Sequence, residues 1–270
     1  MTLKANTAIW LLFFATTLGF GQNKDVVDSL KVKNTITDYS IDVSGNIYLA
    51  FEGGSITKYG PDLDSLFTYS PIQVGNVRLL EAGSGLRIFA FYDSYQEYLV
   101  TDRFLTQPIL TKLNASALEF VEIANQSQDN KIWLVENSGL RLVKYDPATK
   151  TILIETFLSP IVEAEEPSFT FVREYQNQVF LVDSHSGIYV FDNLGNYLRK
   201  IDARTKKCTF FGNEILFMEE GQLIISDLYG TDKTTQKISD SKALGVLLYK
   251  NNLYTIEPKG VYQYQWLGHP

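Results

Sequence analysis

Six carboxylates recur at one place in a repeating pattern. Glu52, Asp93, Glu136, Asp183, Glu219 and Glu257 each lie three or four positions after a large apolar or aromatic residue inside a β-rich run. Carboxylates so repeated can supply oxygen ligands to a hard cation such as calcium. They can also form an electronegative surface for a basic partner, or a two-carboxylate glycosidase pair. A fourth use is local, since an acid at a strand end accepts N–H bonds from its own turn. Three further acids, Glu163, Glu165 and Glu166, fall in the long segment 158–168 between two runs and are not part of the repeat. Tyr92 and Tyr95 flank Asp93 and are the first candidates for exposed aromatic contacts beside it, with packing the commoner use of such residues. No EF-hand spacing accompanies these acids, so calcium stays a candidate without a defined site.

Other chemistry finds fewer residues. The chain has two histidines, His185 and His269, too few for an ordinary histidine metal centre. His185 lies in the tight turn Asp183-Ser184-His185-Ser186-Gly187, where neighbours in sequence do not make a converging triad. The single cysteine, Cys208, has no disulfide or redox partner and reads as a small buried residue beside Phe210 and Phe211.

The elements that must position these acids are short strands. Residues 128–157 hold the runs KIWLVE, LRLVKYD and TILIETF, divided by the turns Asn137-Ser138-Gly139 and Asp146-Pro147-Ala148-Thr149. A preceding run at 118–124 makes a four-stranded antiparallel unit. Weaker copies fill the rest of the chain: GNIYLAFEGGSITKYGPD, GLRIFAFYDSYQEYLVTD, NQVFLVDSHSGIYVFDNLG, NEILFMEEGQLIISDLYG and NNLYTIEPKGVYQYQW. The core residues of their second strands, Tyr48, Phe89, Trp133, Phe180, Leu216 and Tyr254, are spaced by 41, 44, 47, 36 and 38 residues. Four-stranded repeats of this period predict an all-β, six-bladed β-propeller with antiparallel blades. The sixth unit is one strand short, and the run at 26–32 is expected to complete it as the outer strand, which removes an open sheet edge. Turns between second and third strands share a face with the connections between blades. The six acids and the three of segment 158–168 are therefore expected on that one face. Most of the 16 Tyr, 17 Phe and three Trp alternate along strands, which assigns them to packing between blades before sugar binding.

The pattern G-x-I-Y-L/V-x-acid followed by G-x-I-x-x-Y/F-D resembles NHL/TolB-like six-bladed propellers of secreted bacterial proteins. The resemblance spans about residues 38–268, and the copies at Gly85 and Asn213 keep little beyond their apolar positions. WD, Kelch and quinoprotein Trp-docking motifs are missing. The tripeptides Asp28-Ser29-Leu30 and Asp64-Ser65-Leu66 resemble an O-glycosylation acceptor of Bacteroidetes periplasmic proteins. The resemblance implies a fold and no one activity, since propellers host enzymes, binders and scaffolds.

Residues 1–22 carry Lys4, a short apolar core at 8–20 and small residues before Gln22, the layout of a secretory signal peptide. The core is short for a membrane span, so the mature chain, 23–270, is expected to be one propeller domain without one. Losing Lys4 takes the formal charge from −7 to −8. A chain this acidic does not fit nucleic-acid binding. The expected function is a non-catalytic interaction or scaffold propeller of the periplasm or cell envelope. Its acidic face meets an envelope protein, with an outer-membrane assembly as the analogy, and no cofactor is required. The rival expectations are a calcium-dependent propeller hydrolase or lactonase, and a binder of a carbohydrate or small ligand in the central channel.

Overall fold

A computed structural model describes residues 26–113, 118–230, 233–238, 243–266 and 268. The segment expected to be a signal peptide, and His269, lie outside these. Six four-stranded antiparallel sheets form the blades of a propeller. In the first five blades the chain runs from the inner strand outward in sequence order. The inner strands are Ile36–Ile41, Leu79–Glu81, Val121–Gln126, Phe169–Tyr175 and Cys208–Phe211. The sixth blade takes Gly245–Tyr249, Asn252–Glu257 and Gly260–Gln265 from the end of the chain, and its outer strand, Val26–Lys31, from the beginning. That strand pairs antiparallel with Gly260–Gln265, so both chain ends close one blade as the repeat count required.

The second strands carry the packing. Tyr48, Trp133, Phe180, Leu216 and Tyr254 are fully buried and Phe89 is 1% exposed. The strands holding Trp133 and Phe180 have near-continuous apolar burial, because both of their faces are covered by neighbouring blades. Outer strands alternate instead; Thr151–Phe157 has every second side chain exposed, as a sheet edge wetted on one side requires. No helix among the described residues is long and apolar enough to cross a membrane.

The strand order creates two unlike ends. One end holds the connections between blades, the turns from second to third strand, and the first residues of the inner strands. We call it the connection face. The other, the turn face, holds the first-to-second and third-to-fourth turns.

Candidate functional site

All six repeated acids lie at the ends of second strands or in the turn after them, on the connection face. Three of them act as clips between neighbouring segments. Glu136 is fully buried, accepts the Glu119 N–H at 2.7 Å and pairs with Arg141. Asp183 is fully buried and accepts the Ser168 N–H at 2.7 Å, the His185 N–H at 3.3 Å and the Ser186 hydroxyl. Glu219 accepts the Arg204 N–H at 2.6 Å. In each case the bonded N–H belongs to the segment entering the blade. These carboxylates fix where an inner strand begins. Asp93 accepts from Ser94 N–H and hydroxyl. Glu52 is exposed and Glu257 half-buried, and neither side chain is bonded within the described residues.

Segment 158–168 does lie on this face. Glu163 reaches Lys200 at 2.5 Å, and its N–H donates to the Tyr189 hydroxyl at 2.9 Å. The Glu166 carbonyl meets His185 Nδ1 at 2.8 Å, and since a carbonyl only accepts, this bond places the ring proton on Nδ1. Glu165 and Glu166 point their carboxylates to solvent.

The expectation for Tyr92 is corrected. It is 3% exposed, and its hydroxyl donates to the Gly54 carbonyl at 3.3 Å. The ring packs over a turn that only glycine permits: Gly54 has φ +89°, and a Cβ there would sit 2.2 Å from the Gly75 carbonyl and 3.2 Å from Tyr92. Tyr95 is half-buried and donates to the Val74 carbonyl, so it also holds the first connection down. Burial pushes the Cys208 thiol up to about 12 and keeps it neutral. Among the described residues no three of His, Cys, Asp and Glu gather as a metal site would need.

The central channel, a place for a small ligand in the sequence reading but with no residue assigned to it, opens at the centre of the same face. A cavity of about 900 Å³ opens at the mouth of the channel, within the size range of small-molecule sites. Its wall carries four cations, Arg78, Arg204, Lys206 and Lys207, against two acids, Asp38 and Glu220. Lys207 spans the channel. Its Nζ bonds Asp38 Oδ1 and the Tyr39 carbonyl, each at 2.6 Å, and lies 4.7 and 5.4 Å from the ring centres of Tyr39 and Phe171. Asp38 in turn accepts the Leu80 N–H at 2.6 Å. Burial raises the Asp38 pKa, and Lys207 opposes that rise. Four blades thus meet at one buried ion pair. Lys207 belongs to a copy in which the repeat is weak, and its partner is 169 residues away, so spacing alone gave no signal.

No protein-family model and no curated protein sequence matches the chain. Solved structures match it as a fold. The chain is similar to the extracellular domain of the hybrid two-component system BT4673 from B. thetaiotaomicron, with TM-score 0.57 and 13% identity over 85% of this chain. It spans about a third of that structure, 34%. Virginiamycin B lyase from Staphylococcus aureus matches with TM-score 0.60 and 11% identity, covering 88% of this chain and 98% of that one. BamB from Moraxella catarrhalis matches with TM-score 0.54 and 8% identity, covering 91% and 98%. At these identities the likeness shows the β-propeller fold alone.

Proposed function

We propose that this propeller is a protein-interaction module of the cell envelope and that the connection face is its binding surface. One observation carries the reading. Exposed apolar side chains and unpaired carboxylates share that face. Ile72 and Val74 stand out from the first connection, 106% and 75% exposed, and Phe120 and Phe157 are more than half exposed around the third blade. The residues Glu52, Glu165 and Glu166 are exposed on the same face, and their carboxylates have no bonded partner among the described residues. Apolar anchors inside a charged rim are the composition of a protein interface. A basic partner surface suits the rim, and an envelope protein is the partner class that the sequence implies. The extracellular-domain neighbour supports that setting by analogy of fold.

The test is recovery of bound proteins from the native envelope fraction with tagged wild-type protein and with Glu163, Glu165 and Glu166 all changed to Lys. A stoichiometric partner held at low salt, weakened at moderate salt and lost in the charge-reversed variant is the expected result. Equal recovery by both proteins, with both folded, would remove the acidic rim from the function.

A further inference from the structure

The register of the inner strands places one residue of each blade in a ring at the channel mouth. In blades one, three and four the inner strand has an irregularity at its start: the pairing steps from Ile36 to Asp38, from Val121 to Ile123 and from Phe169 to Phe171. The skipped residues are Thr37, Glu122 and Thr170. A bulge of this kind leaves one residue outside the ladder and re-aims its side chain. Blades two and six reach the same place at their strand starts. The Arg78 N–H bonds the Phe91 carbonyl while Leu79 pairs with Phe91; the Leu244 N–H bonds the Ile256 carbonyl while Gly245 pairs with Ile256. In blade five the carboxylate clip gives the position. Ser168 and Arg204 are the N–H groups held by Asp183 and Glu219, and Thr170 and Lys206 each follow two residues later.

The ring is therefore Thr37, Arg78, Glu122, Thr170, Lys206 and Leu244, and all but Glu122 line the 900 Å³ cavity. Thr37 Oγ1, Glu122 Oε2 and Thr170 Oγ1 are buried and have no protein partner. Buried polar atoms are ordinarily hydrogen-bonded, so water or a ligand is expected to complete these three. Arg78 uses one Nη2–H on the Phe169 carbonyl at 2.6 Å and keeps the rest of its guanidinium fork. The ion pairs of the cavity are Lys207 with Asp38 at 2.6 Å and Arg204 with Glu220 at 3.7 Å; among the described residues Arg78 and Lys206 make no direct ion pair, although Arg78 is near enough to Glu122 to oppose the rise that burial causes in its pKa.

We propose that this ring binds a small organic acid that carries at least one carboxylate and at least one hydrogen-bond donor. Arg78 and Lys206 hold the carboxylate, with the Thr37 and Thr170 hydroxyls donating to it. The free oxygen of Glu122 accepts from the donor, and Leu244 covers an apolar edge. A planar carboxylate matches a guanidinium fork. Inorganic phosphate is the competing occupant, since at neutral pH it carries O–H donors of its own; the planar match to the Arg78 fork and the apolar Leu244 edge favour the organic acid. The site is independent of the protein-binding reading, although it opens on the same face.

Calorimetric titration of the purified protein with glucuronate, glutamate and inorganic phosphate tests it. Glucuronate offers hydroxyl donors and glutamate an ammonium, so the one that binds names the donor. Lys206→Ala changes an exposed side chain and Thr170→Val keeps its shape, so both preserve the fold. Arg78→Met is expected to weaken the bound acid about ten- to hundredfold, and the other two by about threefold to tenfold. Glu122→Gln is expected to cost more for glutamate than for glucuronate. Absence of binding by both acids, phosphate binding more tightly than either, or acid binding unchanged in Lys206→Ala and Thr170→Val would overturn the proposal.

Discussion

The two faces of the propeller use acids in opposite ways. On the turn face, Asp42, Asp102 and Asp192 each accept N–H groups two and four residues ahead, at 2.8 to 3.0 Å, and so close their own turns. Asp146 adds Lys131 at 2.7 Å. On the connection face, Glu136, Asp183 and Glu219 reach back 15 to 17 residues to the segment that enters their blade. The first arrangement stabilises a turn whatever lies beyond it. The second sets where each inner strand starts, and so where the ring at the channel mouth falls. A repeat can place acids of similar appearance at both ends and give them local work at one end and inter-segment work at the other.

The largest effect should come from the channel. Lys207→Met leaves Asp38 buried beside its backbone partner without a counter-ion, and denaturant unfolding is expected to show a loss of about 3–5 kcal/mol. If the variant keeps full stability, the cross-channel pair does not hold the blades. Next is the connection face: Asp183→Ala strands donors on Ser168, His185 and Ser186 and should cost about 2–3 kcal/mol by the same measurement. The matching change on the turn face, Asp192→Ala, touches one exposed turn and should cost about 1 kcal/mol. Equal losses in the two would erase the distinction between clip and cap.

A smaller, pH-dependent effect belongs to the turn face. Bonds from Thr106 hold the Asp102 carboxyl below its usual range, and the Lys131 ammonium takes Asp146 down to about 2. A carboxyl depressed in the folded state stabilises fully above its unfolded value, near 4, and loses that contribution as pH falls through the folded one. Thermal unfolding should therefore show Asp146→Asn costing stability at pH 6 and little at pH 2.

The architecture was legible because it is written locally and often. Tyr48, Trp133 and Phe180 occupy one register of one repeated strand, and a missing strand at the end matched a spare run at the start. The face of the acids followed from strand order. What stayed hidden was the outcome of distant segments meeting. Tyr92 reads as an exposed turn residue until the connection carrying Gly75 folds over Gly54 and buries it. Thr37, Arg78 and Lys206 share no residue type, so nothing in their identities marks them as one ring. Their common signal is positional, a residue at the start of each inner strand or one or two before it, and irregular pairing blurs it in the sequence.

The central claim is that the connection face is the binding surface, and paired substitutions test it most directly. Ile72→Asp and Phe120→Asp alter exposed apolar residues of that face, and Leu86→Asp and Leu194→Asp alter exposed apolar residues of the turn face. With the partner recovered from the envelope fraction in hand, affinity should fall by about tenfold or more for the first pair and stay near wild type for the second. The reverse order, or equal losses on both faces, would contradict the assignment.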